Sequence, residues 1–281
     1  MMLKMVDVYS GSPRTYATQS GVDVIMVKAT QGTSYVNPYC DIDYQAAKKK
    51  GKLLGFYHYC GGGSPEAEAK YFYKNTKNYV GEAVPAVDWE AGQNSSWGNT
   101  NWVKRFVTEF HRLSGVWCLI YVQESAINQV ANCAKDCGLW VAKYPSMNWK
   151  SWNVPNMRVN TYPWSTYTVW QFTGDNMDRN LVNTTRDGWK KLAKGSKSKI
   201  EKKSTWKKKS GTFVLGQALK IHTTPHIDSP AIAKLPKGSS IKYDATLQGP
   251  KRLWLRQPRS GGHYGYVVAR DKYNKPLGKI K

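Results

Sequence analysis

The chain has 281 residues, 41% of them hydrophobic and 13% aromatic, which excludes a wholly disordered protein, because disordered segments are poor in aromatics. No run approaches the ~18 consecutive apolar residues of a membrane span, so no membrane insertion is expected. Lys and Arg number 42 against 19 Asp and Glu, a net charge of +23, and five cysteines, an odd number in a long chain, read as reduced thiols rather than a disulfide framework.

The chain opens on a strand, Lys4–Val8, with no apolar segment and small-residue cleavage site before it, so no secretory signal is expected. Val22–Ala29 reads as the next strand, and Asn37–Lys50 as a helix stopped by Gly51. Strand Leu53–Tyr59 precedes helix Pro65–Asn78, whose early acids and late lysines match the helix dipole. Strand Ala83–Trp89, helix Asn101–Leu113, strand Val116–Val122, helix Glu124–Lys135 and strands Gly138–Ala142 and Thr168–Phe172 follow. Repeated strand–helix units imply a largely parallel sheet. Tyr144 to Thr166, rich in Trp, Pro and Asn, has no helical pattern, so the last strands are expected to lack helices between them.

Residues 195–209 read as a Lys-rich linker, since 195–204 has almost nothing apolar to bury; Trp206 is a candidate first packed residue. Beyond it, Thr212–Leu215, Leu219–Ile221, Ser240–Tyr243, Leu253–Arg256 and Gly265–Val268 are short strands split by turn signals, the pattern of a small all-β barrel. Residues 193–281 hold 21 Lys and Arg against four acids, a net +17, leaving +6 for residues 1–192. Such a polycation draws nucleic acid, anionic lipid or the teichoic acids of a cell wall, and composition does not choose among them.

The most informative segment is Val84-Pro85-Ala86-Val87-Asp88-Trp89-Glu90. Strand alternation puts Asp88 and Glu90 on one face with Cα atoms ~6.6 Å apart. At the C-terminal end of a parallel barrel strand they would sit at the active mouth, where two carboxyls with separated pKa values can divide acid and charge-stabilising roles, as glycosidic cleavage requires. The competing reading is a solvated strand end. Asp7 ends the first strand and Asp178 follows the last; in a closed barrel they would face each other across the mouth from Glu90. Their rival roles are a turn or cap for Asp178 and a salt bridge to Lys28 for Asp7. Tyr57, Tyr59, Trp89, Tyr121, Trp140, Tyr144 and Trp170 lie on or near strand ends and are candidates to stack on sugars, or else barrel core, toward which Trp140 and Trp170 lean. His58, in mid-strand, reads as a hydrogen-bonded core residue. Cys133 and Cys137 are four apart on an expected helix but lack further ligands at zinc spacing, so no metal site is assigned.

Residues 1–192 resemble lysozymes of glycoside hydrolase family 25, the Chalaropsis-type muramidases common in phage endolysins. The matches are Val6-Asp7-Val8; Val24–Gly32 with Tyr35 and Pro38; Leu54–Tyr59; Pro85–Glu90; Leu119-Ile120-Tyr121; Leu139–Tyr144; and Val169–Phe172 with Asp178-Arg179-Asn180. The resemblance implies an irregular TIM-like (β/α)5(β)3 barrel of eight strands with about five helices. It implies cleavage of the β-1,4 bond between N-acetylmuramic acid and N-acetylglucosamine in peptidoglycan. Glu90 matches the general acid and Asp178, Asp7 and Asp88 the carboxylates around it. Retention through the substrate's own 2-acetamido group is implied, with either Asp88 or Asp178 steadying the intermediate. Lys28, Tyr57, Tyr59, Trp89, Tyr121, Tyr144 and Gln171 are the substrate-binding candidates. The chain departs from the family pattern at Gln31, where a Glu is usual, and at Tyr9-Ser10-Gly11, and both departures bear on the shape of the sugar groove.

Gly211 to Gly278 resembles a bacterial SH3-type wall-binding domain on Gly211-Thr212-Phe213, Leu219–Pro225, Pro236–Asp244, Trp254-Leu255-Arg256 and Tyr264–Val268. Tyr243, Trp254, Tyr264 and Tyr266 are its groove candidates, each with packing as the alternative. The combined expectation is a catalytic domain at 1–194, a linker at 195–209 and a wall-binding domain at 210–281. No metal or organic cofactor is implied. The expected partners are bacterial peptidoglycan and anionic wall polymers, with no nucleic acid, for a monomer made in a host cytoplasm and acting at the cell wall after release by a holin or non-classical export. Two rivals stand. A chitinase-like barrel would need the longer acid series Asp-x-x-Asp-x-Asp-x-Glu, which Val84–Val87 interrupts. A non-catalytic binder of anionic polymers is permitted by the +17 tail but disfavoured by four placed acids and sparse aromatics at 197–209.

Overall fold

Eight strands close into a barrel between Leu3 and Val182. The elements are β1 (Leu3–Val8), β2 (Val24–Gln31), the two-residue β3 (Tyr35–Val36), β4 (Leu53–Tyr59), β5 (Val84–Trp89), β6 (Leu119–Gln123), β7 (Leu139–Ala142), β8 (Val169–Thr173) and β9 (Asp178–Val182). The order β1-β9-β8-β7-β6-β5-β4-β2 is closed by the pairing of β1 with β2, and β3 hangs on β2. Neighbours in the ring are parallel except at β9, which runs antiparallel to both β1 and β8. The computed structural model describes residues 2–195, 206–227, 229–249 and 252–281. The chain divides into two compact units, Met1–Ser198 and Lys199–Lys281.

Strand alternation sorts the side chains of the barrel. Met5, Val24, Met26, Leu53, Val84, Ala86, Leu119, Val169 and Val182 fill its lower interior. Their neighbours Val6, Ile25, Val27, Phe56, Val87, Ile120, Val141 and Phe172 face outward onto the helices. Helices α1 (Cys40–Lys49), α2 (Pro65–Thr76) and α3 (Trp102–Ser114) supply the covering layer, with Phe72, Phe106 and Phe110 in ring contact. Gly115, at φ 76, ends α3 in the left-handed conformation that glycine adopts without strain.

Two elements depart from the sequence reading. The helix expected over Glu124–Lys135 is instead two 3-10 turns, Glu124–Gln129 and Ala131–Cys133, separated by Val130 at φ −120. Asn128 and Asn132 are weak helix formers, and Gln129 is drawn off to accept hydrogen bonds from Trp89 Nε1 (2.8 Å) and Gly98 N (2.9 Å). The other is α4 (Arg186–Lys194), not anticipated, which follows the last strand. Thr185 caps it by accepting from Gly188 N, and Trp189 and Ala193, four apart, point into the bottom of the barrel. Trp189 is 1% exposed and donates from Nε1 to Leu54 O at 2.9 Å. With these changes the barrel carries four α-helices among the described residues, against about five expected.

The second unit is an antiparallel sheet of β10 (Lys207–Leu215), β11 (Leu219–His222), β12 (Ala231–Leu235), β13 (Ser240–Gln248), β14 (Leu253–Pro258), β15 (Tyr264–Arg270) and β16 (Gly278–Ile280). Its order is β12-β11-β15-β14-β13-β10-β16. Phe213, Leu215, Ile221, Ile241, Tyr243, Leu255, Val267 and Ala269 form its core. β12 and β16 are strands the sequence reading lacked. β10 begins at Lys207, so Lys207–Lys209, assigned to the linker, belong to that strand, Lys207 and Lys208 pairing with β13; most of that linker, 196–205, lies outside the described residues.

Candidate active site

Five of the parallel strands deliver polar side chains to the C-terminal mouth of the barrel: Asp7 from β1, Lys28 and Gln31 from β2, Tyr57 and Tyr59 from β4, Asp88 from β5 and Gln171 from β8. Glu90 follows β5 directly. Asp178 does not come after the final strand, as the sequence suggested, but begins one. Because β9 runs antiparallel, its first residue lies at the mouth, and its register sets Asp178 opposite Asp7. The two acids are thus adjacent partners across one strand pair.

Asp7 Oδ1 accepts from Gln171 Nε2 (3.0 Å) and Asn180 Nδ2 (2.8 Å). Gln171 Oε1 in turn accepts from Tyr121 (2.7 Å) and Tyr144 (2.5 Å), and Asn180 Oδ1 accepts from Trp140 Nε1 (2.7 Å). No salt bridge joins Asp7 to Lys28, whose Nζ donates to Gln31 Oε1 at 2.8 Å. Asp7 therefore sits in a neutral amide cradle. Asn180 was quoted in a motif but not named as a site residue; the inward face of β9 that presents it was not visible in the sequence, and its place beside Asp178 in the quoted motif was the available signal.

Burial dominates the electrostatics. It pushes the Asp7 carboxyl up to about 7, against the pull of Asn180 and Gln171. Burial, then the charge of Asp7, raises Asp178 to about 9. Asp88 is driven well above the usual carboxylate range by burial and then by Glu90, and Lys28 opposes the rise. Glu90 is raised by burial, against lowering by Tyr121, Lys28 and Tyr59. Asp88 Oδ1 is buried with no hydrogen-bond partner among the described residues, an open acceptor in the mouth. The site thus favours protonated carboxyls while holding one cation, Lys28, whose ammonium burial weakens and Asp88 and Glu90 sustain.

The aromatic candidates divide. Tyr59 stays half-buried at the rim, its ring 4.4 Å from Lys28 Nζ. Tyr57 (7% exposed) and Tyr121 line the interior below the acids, packed edge-on against Trp140. Trp89 is not in the mouth. Alternation turns it outward between Asp88 and Glu90, and it is fully buried against Trp97 and Trp102. Trp170 also faces the outer core, donating to Lys143 O. His58 is a core residue, bonded to Thr30 Oγ1 (2.8 Å) and Glu68 Oε2 (3.0 Å). Cys133 and Cys137 are buried free thiols without the helix expected beneath them.

In the second unit Tyr243 and Trp254 are buried, at 3% and 5%, so neither presents a face to a ligand. Tyr264 is exposed and stacks with Arg256 (4.3 Å), which also lies 5.7 Å from the Trp206 ring; Tyr266 packs on Trp206 at 5.5 Å. Trp206 and Arg256 are therefore surface partners of Tyr264 and Tyr266 that the sequence reading did not select.

Residues 6–180 match the family described as glycosyl hydrolases family 25. The autolytic lysozyme of Clostridium acetobutylicum is 30% identical over 148 residues, covering 50% of this chain and 45% of that protein, so the match spans less than half the relative's length. The N,O-diacetylmuramidase of a Chalaropsis species is 25% identical over 201 residues, covering 64% of this chain and 92% of the relative. Among solved structures, the muramidase from Trichobolus zukalii superposes with a TM-score of 0.56 at 26% identity, covering 69% of this chain and all of that one.

Proposed function

The chain belongs to glycosyl hydrolases family 25, and from that premise we propose that it is an N-acetylmuramidase cutting the β-1,4 bond between N-acetylmuramic acid and N-acetylglucosamine of peptidoglycan. The observation that carries the reading is the gathering of Asp7, Asp88, Glu90 and Asp178 at one barrel mouth, where burial raises all four. A carboxyl whose proton burial makes harder to lose can give that proton to a leaving glycosidic oxygen. Glu90 takes that role, steered by Tyr59 and Tyr121. The names of the clostridial, Chalaropsis and Trichobolus relatives support the substrate class.

In this mechanism the substrate's 2-acetamido oxygen attacks the anomeric carbon as Glu90 protonates the leaving oxygen. Asp88 steadies the resulting oxazolinium-like ring, its open Oδ1 accepting the acetamido N–H. Asp7 and Asp178 act on charge developing across the mouth. Water then opens the ring with Glu90 as base, so configuration is retained. The second unit, an SH3-type wall-binding module in this reading, holds the enzyme on peptidoglycan and anionic wall polymers through Tyr264, Tyr266 and its positive charge. The whole chain serves as a phage-type endolysin in cell lysis. Digestion of purified Gram-positive walls tests the reading: new reducing ends should carry muramic acid and first appear as the β-anomer. Reducing ends on glucosamine, or no release at all, would overturn it.

A further inference from the structure

Beside the carboxylates lies an open cleft of ≈ 560 Å³, lined by Tyr9, Ser10, Lys28, Gln31, Gly32, Ser34, Tyr35, Gly61 and Gln93. That volume suits a sugar residue with its substituent. Ser10, Ser34, Tyr35 and Gln93 offer hydroxyls and an amide. The cleft has one charged side chain, Lys28, and no carboxylate in its lining.

The ammonium is held without being neutralised. Gln31 accepts from Nζ at 2.8 Å and donates from Nε2 to Gln93 Oε1 at 2.6 Å, which fixes the amide with its oxygen toward the lysine. The rings of Tyr59 and Tyr35 lie 4.4 and 5.7 Å from Nζ, holding the cation by their faces. Gln31 is its one hydrogen-bond partner among the described residues. An ammonium has three N–H donors, so two remain for a ligand. On the mouth side stand Asp88 and Glu90, whose carboxyls burial raises and whose charge sustains the ammonium, but neither forms a salt bridge with Nζ among the described residues.

We propose that this cleft is a carboxylate-recognition subsite, with Lys28 as its cation and Gln31 as the neutral positioning residue that keeps the cation available to substrate. The inference rests on the muramidase reading. The ligand is a carboxylate carried on the glycan, either the lactyl carboxylate of muramic acid or a carboxylate of its stem peptide. A charge-assisted bond of this kind discriminates against the same sugar without the charge.

The test compares three soluble substrates: peptide-free glycan with free lactyl carboxylates, the same glycan with those groups amidated, and glycan bearing stem peptides. Each is assayed with the full-length wild type, Gln31→Glu and Gln31→Leu. For the wild type, amidation of the peptide-free chains should raise KM about tenfold. Gln31→Glu pairs the ammonium internally and should bring that ratio toward one; Gln31→Leu, which leaves the charge, should keep the preference. If only the peptide-bearing chains lose affinity in Gln31→Glu, the carboxylate recognised is that of the stem peptide. The proposal is overturned if no substrate distinguishes Gln31→Glu from wild type, or if both variants lose the preference alike. Failure of the wild type to cut any chain would instead sink the muramidase reading.

Discussion

Asp7 and Asp178 stand directly opposite each other on the antiparallel strands β1 and β9. Like charges so placed repel, and burial adds to the cost of ionising either. With folded values near 7 for Asp7 and 9 for Asp178, against 3.8 for an ordinary aspartate, both bind protons more tightly folded than unfolded.

The sign for stability follows. The contribution of these protonated acids is fully present below pH ~4 and is lost as pH rises through about 7 and then 9. Asp178→Asn removes part of that loss. It should raise Tm at pH 8, by the equivalent of ~1–3 kcal/mol, and much less at pH 4, while lowering kcat strongly. Thermal melts at both pH values check this; an equal gain at the two would contradict it.

Gly174 leaves room at the mouth. A Cβ there would lie 2.9 Å from both Asp178 Oδ1 and the Tyr144 hydroxyl oxygen. These are ends of side chains, so Gly174→Ala should shift them at small cost to the fold. Expected is a Tm within a few degrees of wild type and kcat lowered about tenfold, because misplacement by an ångström costs rate more than stability. Parallel melts and initial rates on soluble glycan decide it.

Trp189 closes the end of the barrel opposite the acids. Trp189→Ala should cost ~3–5 kcal/mol, the range for emptying a large aromatic from a core. Denaturant unfolding of the variant measures this. A loss below ~1 kcal/mol would mean that α4 is not part of the barrel core.

The fragment 1–195 ends with the Gly195 cap of α4 and contains all four acids. It should cut soluble glycan as fast as the full chain and intact walls more slowly, since attachment raises the local enzyme concentration. The wall deficit should shrink with added salt if the +17 of residues 193–281 supplies the attachment. Turnover on walls against ionic strength separates this from attachment through a specific groove, for which the deficit would persist.

Sequence reading reached the barrel because its signals were local. Apolar strands alternated with capped helices, and Asp88 and Glu90 shared a face by simple alternation. The same alternation should have removed Trp89 from the groove candidates, since a residue between two inward acids points outward. The antiparallel β9 was not legible: its Asp-Arg-Asn start is poor in strand formers, and only pairing with both β1 and β8 imposes the extended conformation. α4 did carry signals, namely the Thr185 cap, Trp189 and Ala193 four apart and lysines in the last turn. Tyr243 and Trp254 were misplaced for another reason: in a small sheet an aromatic serves core or surface equally well, and only the register decides.

The account turns on Glu90 as proton donor, and leaving-group dependence tests it most directly. Glu90→Gln keeps the size and polarity of the side chain but removes the transferable proton. On natural muramyl glycan its kcat should fall by at least ~1000-fold. In first-turnover release of aryloxide from a synthetic muramyl glycoside, a step that needs no protonation and precedes ring opening by Glu90 as base, the loss should be small. Equal losses on both substrates, or near-full activity on the natural one, would contradict the assignment.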